Sequence, residues 1–126
     1  MRDDFRRFPV DDPFGRRWDV EFRWQQNAIS IRHADAVDCK YYLSCGEERR
    51  ELVVSLPHAA LLSVAREAGR ELSDAWVLKL AGLHVERMVS TWEDMDRTIA
   101  VVSRQELSAC NQALLEAAAQ AGIAHL

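Results

Sequence analysis

Between residues 18 and 24 every second side chain is large and apolar. Trp18, Val20, Phe22 and Trp24 alternate with Asp19, Glu21 and Arg23, and a period of two places the first set on one face of a pleated strand. Such a strand needs partners for its backbone and a cover for its apolar face. The first strand runs from Trp18 to Gln25, and three more segments read the same way. Residues 28–33 put Ile29 and Ile31 inward with Ser30 and Arg32 outward. Residues 39–45 put Cys39, Tyr41, Leu43 and Cys45 on one face, and residues 49–56 put Leu52, Val54 and Leu56 inward. The connections (Gln26-Asn27, residues 34–38 and Gly46-Glu47-Glu48) are short. Short links favour an antiparallel meander, since parallel neighbours need long crossovers.

After Pro57 the apolar period lengthens from two to that of a helix. Proline is tolerated at a helix start, where its missing amide hydrogen does no harm, and Ser55 is a candidate cap. Leu61, Ala65, Ala68 and Leu72 mark a first helix that Gly69 weakens or stops. Ser73 or Asp74 caps a second, reaching about Thr91 and apolar on nearly every side, which marks it as central or as a subunit contact. Gly82 within it allows a close neighbour. Thr98–Val102 has the β-branched content of a short fifth strand, with a helical alternative left open. Ser103-Arg-Gln-Glu106 fits a capping box, opening a third helix that Gly122 ends. The predicted fold is α+β: a four-stranded antiparallel meander, with or without the short fifth strand, covered on one face by three C-terminal helices.

Residues 1–17 carry Phe5, Phe8, Val10 and Phe14 among charges, punctuated by Pro9 and Pro13. They read as an irregular N-terminal arm whose aromatics pack on the body or on another chain. Residues 18–126 read as one domain.

Composition narrows function mainly by exclusion. A hydrophobic fraction of 48% with 29% charged residues suits a globular chain. The net charge of −4 and the lack of any clustered basic face argue against nucleic acid. No run of eighteen apolar residues is present to cross a membrane, and the charged N-terminus lacks the apolar core of a secretory signal. Three cysteines, Cys39, Cys45 and Cys110, are too few for a disulfide framework. Cys39 and Cys45, six residues apart on one strand, stand about 20 Å apart, beyond the roughly 7 Å that a disulfide allows. Free thiols in a reducing cytoplasm follow as the expectation.

The chain has no glycine-rich phosphate loop, nucleophile elbow, Cys-x-x-Cys or His-x-x-x-His. Its densest group of potential ligands or acid–base residues is His33, Asp35, Asp38 and Cys39, at a spacing that matches no metal pattern; solvated loop residues are the plainer reading. His84, inside the apolar second helix, meets a ligand between the layers or is a core histidine. For interfaces the candidates are Phe5 and Phe8 on the arm, Trp76 on the second helix, and Arg32, Tyr42 and Arg49 on the outer sheet face, where tyrosine and arginine favour contacts. No cofactor and no metal is expected. The resulting expectation is a small cytoplasmic interaction module without catalytic chemistry, self-associating as a homodimer or binding a protein partner. The alternative is a ligand-binding domain or enzyme with a pocket between sheet and helices, using His84 or His33 with Asp35 or Asp38.

Overall fold

The computed structural model describes residues 4–28 and 35–122. In chain order the elements are β1 (Arg7–Asp11), β2 (Arg17–Ala28), β3 (Ala36–Cys45), β4 (Glu48–Pro57), α1 (His58–Glu67), α2 (Asp74–Thr91), β5 (Ile99–Val101) and α3 (Arg104–Gln120). The five strands form one sheet in sequence order. Neighbours from β1 to β4 are antiparallel, and β5 lies parallel to β4 after the long excursion through α1 and α2. The α+β class, the antiparallel meander, the short fifth strand and the helical cover are therefore all present.

Membership of the meander differs from the sequence expectation. The N-terminal segment is not irregular: residues 7–11 form the edge strand β1, paired from Arg7 opposite Glu21 to Asp11 opposite Arg17. Pro9 hides this strand in the sequence, yet an edge tolerates proline because one side of its backbone needs no partner. Phe5, Phe8 and Val10 pack into the chain's own core. Gln26-Asn27 is not a turn either. Both residues continue β2, opposite Asp38 and Val37, and Ala36–Asp38, expected in a loop, already belong to β3. Val37 draws them in, because it is buried opposite Leu56. Of the strand expected at 28–33, only Ala28 lies within the described residues, as the end of β2.

A bulge decides which side chains of β2 face inward. Phe22 stands opposite Tyr41 and Trp24 opposite Lys40, so Arg23 is an extra residue without an opposite number. One inserted residue reverses the facing of everything after it. Trp18 and Val20 are fully buried as the alternation predicts, but Trp24 is turned to the outer face and is 38% exposed. Gln25 takes the inward position opposite Cys39.

The inner face, with Trp18, Val20, Cys39, Tyr41, Leu43, Leu52, Val54 and Leu56, forms one core with the helices. Pro57 ends β4 and stands as the N-cap of α1 with no side-chain cap, so Ser55 is a strand residue rather than a capping one. Ser73 caps α2 by accepting from the Trp76 amide at 3.2 Å, and both halves of the Ser103/Glu106 capping box are made. Helix α2 packs on β1 and β4 on one side and on α3 on the other, which accounts for its apolar circumference. Phe5 crosses α2 at Gly82, where a methyl group would stand 3.1 Å from the Phe5 Cδ1. The glycine permits that crossing.

Candidate functional site

Hydrophobic side chains also gather on the face that the helices leave uncovered. Trp24, Lys40, Val53 and Ile99 stand opposite one another across β2, β3, β4 and β5, forming a single row. Val101 flanks this row beside Ser55, and Tyr42 lies next to Lys40 on the other side. Ile99 and Val101 are 60% and 64% exposed, and Tyr42 is 37% exposed. Around this apolar band the charges are locally balanced. Arg7 pairs with Asp19 at 2.7 Å, Arg17 with Asp11 at 2.9 Å, Arg23 with Glu21 at 3.1 Å and Lys40 with Glu51 at 3.7 Å. Arg23 and Lys40 also lie over the Tyr42 ring, at 4.9 and 5.5 Å. Exposed pairs of this kind each contribute under about 1 kcal/mol, but they leave the face close to neutral.

The end of the sheet around the β1–β2 turn is fixed by a buried carboxylate. Asp12 accepts from the amides of Phe14 and Arg16, from the Arg16 Nε at 2.7 Å and from the Trp18 indole at 3.0 Å. Burial alone would raise its pKa. The Trp18 indole, the two backbone amides and the Arg16 guanidinium outweigh burial and hold the carboxyl well below the usual range. Arg16 lies over both Trp18 and Trp92, at 5.2 and 5.1 Å, and Arg50 covers Trp92 from 5.2 Å while donating to the Met95 carbonyl. The positive φ of Trp92 ends α2 there. This stack of guanidinium and indole groups ties the first turn to the end of α2.

A cleft of about 680 Å³ lies between the far end of β2 and the first turns of α2, walled by Phe22, Gln25, Asp74, Leu78 and Lys79 and flanked by residues 4–6. Another, about 170 Å³, sits by Arg50, Met95 and Thr98.

The residues singled out in the sequence are dispersed. His33 and Arg32 lie outside the described residues. Asp35 is exposed, its carbonyl accepting from the His58 amide. Asp38 points to the outer face between Gln26 and Ser55, away from the helix layer that carries His84. His84 lines neither cleft. It is buried, its Nδ1 has no hydrogen-bond partner among the described residues, and its Nε2 lies 3.9 Å from a Glu106 oxygen. Phe5, Phe8 and Trp76 are buried in the core rather than offered as an outer contact surface. Tyr42 belongs to the outer face, while Arg49 is exposed and braces the β3–β4 turn by donating to the Gly46 carbonyl. Among the described residues no three His, Cys, Asp or Glu side chains gather in a way that could hold a metal.

All three cysteines are free. Burial pushes the Cys39 thiol up to about 12 and the Cys110 thiol up to about 11, far from the thiolate that nucleophilic chemistry requires. Burial likewise lowers the His84 pKa, with Arg87 acting in the same direction and Glu106 and Asp94 opposing. A folded pKa below the unfolded one means that the unfolded chain binds the proton more readily. His84 therefore leaves stability intact above about pH 6.5 and reduces it as pH falls below that value. Replacing His84 with glutamine is expected to flatten the loss of thermal midpoint between about pH 6.5 and pH 5, and midpoints recorded by circular dichroism across that range test this. A slope identical to that of the native chain would show that His84 does not titrate on unfolding.

Trp24, Ile99 and Val101 were not foreseeable as surface groups, because their row exists only once the bulge and the β4–β5 register are known. The chain is thus an α+β protein with a half-covered sheet, an apolar band on the open side and a cleft at one edge. No family model, curated protein or solved structure matches it.

Proposed function

We propose that the chain is a non-catalytic interaction module that self-associates through the uncovered face of its sheet. The observation that carries this reading is the row Trp24–Lys40–Val53–Ile99 with Val101 and Tyr42 beside it, an exposed apolar band on regular secondary structure. Its surround favours a second copy over a strongly charged partner. Both signs alternate there in pairs, so a surface of the same kind can be laid against it by a two-fold operation without net repulsion. Phe5, Phe8 and Trp76 contribute nothing to such a contact, since the core encloses them.

Sedimentation velocity from about 1 to 100 µM tests the reading, with a dimer of Kd near 10 µM expected. The double variant Trp24→Glu/Ile99→Asp is expected to sediment as a monomer throughout while its thermal midpoint stays within about 3 °C of the native one. A native chain that is monomeric at the highest concentration would overturn the proposal.

A further inference from the structure

β5 forms the margin of the sheet opposite β1. The Val53 amide donates to the Thr98 carbonyl at 2.8 Å and the Val102 amide to the Ser55 carbonyl at 2.9 Å. With Val53 opposite Ile99 and Ser55 opposite Val101, a parallel ladder turns the amide and carbonyl of Ala100 toward β4. Those of Ile99 and Val101 therefore point outward, and among the described residues no hydrogen bond reaches them. The chain outside the described residues starts far from this edge. Residues 1–3 precede the β1 margin, four strand spacings or ~19 Å across the sheet, and residues 123–126 follow ~25 Å of α3. Residues 29–34 join β2 to β3, strands that lie inside the sheet.

We infer that β5 is a pairing edge for a second copy of the chain, antiparallel across a two-fold axis at Ala100, so that two five-stranded sheets become one. Complementarity to itself selects the occupant. In this register Ile99 and the second copy's Val101 exchange both outward hydrogen bonds, and Val101 does the same with the second copy's Ile99. Ala100 falls on the axis as a non-hydrogen-bonded pair, where α-carbons approach to ~4.5 Å and a small side chain fits. On the outer face the pairing sets Ile99 and Val101, 60% and 64% exposed in one copy, against their counterparts, and runs the two apolar rows together. No charge stands within β5 to repel an identical edge. The β1 margin carries what β5 lacks: Pro9 removes an amide, and Arg7 and Asp11 are exposed along it. Three residues make the contact a weak one. It is separate from the face-to-face contact proposed above, since it lengthens the apolar band rather than covering it.

Amide hydrogen exchange, read by nitrogen-15 NMR on the native chain at about 50 µM and about 1 mM, is the test. With a Kd of about 300 µM, the Ile99 and Val101 amides are expected to exchange about two- to threefold more slowly at the higher concentration. Trp24→Glu, which places a charge in the open-face band three strands away, is expected to leave that slowing intact. Val101→Pro removes an outward amide without touching the β4 ladder and is expected to abolish the slowing at Ile99, whereas Val101→Ala, which keeps the amide, retains most of it. Equal rates at the two concentrations would overturn the assignment and leave the edge to a foreign strand. So would slowing that disappears in Trp24→Glu, or that proline and alanine at position 101 reduce equally. Dimers near 10 µM that Trp24→Glu dissolves belong to the face, so either proposal can fail without the other.

Discussion

Alanine in place of Asp12 is expected to lower the thermal midpoint by roughly 10 °C or more, a large effect for one surface turn. Four donors converge on this carboxylate, and its removal leaves the Trp18 indole hydrogen buried without an acceptor. Asparagine should do almost as much harm. Whichever way its amide is turned, the nitrogen meets either the two backbone amides or the Arg16 and Trp18 donors, so donor faces donor. The sign of the pH dependence follows from the depressed pKa: the stabilisation is complete above about pH 5 and is lost as pH falls through the ordinary carboxylate value near 4 toward the lower folded one. The native chain should therefore lose stability between about pH 5 and pH 3 more steeply than Asp12→Asn. Melts of both chains across that range decide the matter, and parallel curves would remove Asp12 from the account.

Trp76→Ala should cost about 3–5 kcal/mol, enough to leave a domain of this size barely folded. Trp76 is 1% exposed, and its indole donates to the buried Asn111 of α3 at 3.2 Å, so one side chain joins α2 to α3 by packing and by a hydrogen bond. Phenylalanine separates the two roles. It retains much of the volume but strands the Asn111 oxygen, for an expected loss of about 1–2 kcal/mol. Changing Asn111 to leucine in that background should recover part of the loss, since the unpaired acceptor then disappears. Trp24→Ala is the contrasting control, expected to alter monomer stability by under about 1 kcal/mol. Urea titrations of these variants order the two tryptophans, and equal losses would contradict the layering.

That contrast marks where the sequence was readable. Trp18 and Trp24 belong to the same alternating run, and nothing in the run distinguishes them; the bulge at Arg23 does, and a bulge leaves no mark when apolar residues happen to continue the old phase. The Ser73 cap, the Ser103/Glu106 capping box and the apolar girth of α2 were legible because they are local, each decided within a turn of helix. β1 was obscured by Pro9, a breaker in a central strand but harmless at an edge. Gln26-Asn27 carries turn-forming residues, but the opposing Val37 and Asp38 hold it in register, and pairing across strands outweighs local preference. The outer apolar row was illegible for the same reason: its members come from four segments, and only their register makes them neighbours.

The parallel pairing of β5 has a consequence for when the open face comes into being. Ile99 and Val101 reach the sheet only after the chain has passed through two helices, whereas Trp24, Lys40 and Val53 lie on three consecutive antiparallel strands. Contacts between distant segments form late because closing a long loop is entropically unfavourable. A chain emerging from synthesis can thus assemble its meander with the band still missing its far margin. A partner that recognised the whole band would meet it only on a finished molecule, so the proposed association at this surface would double as a readout of completed folding.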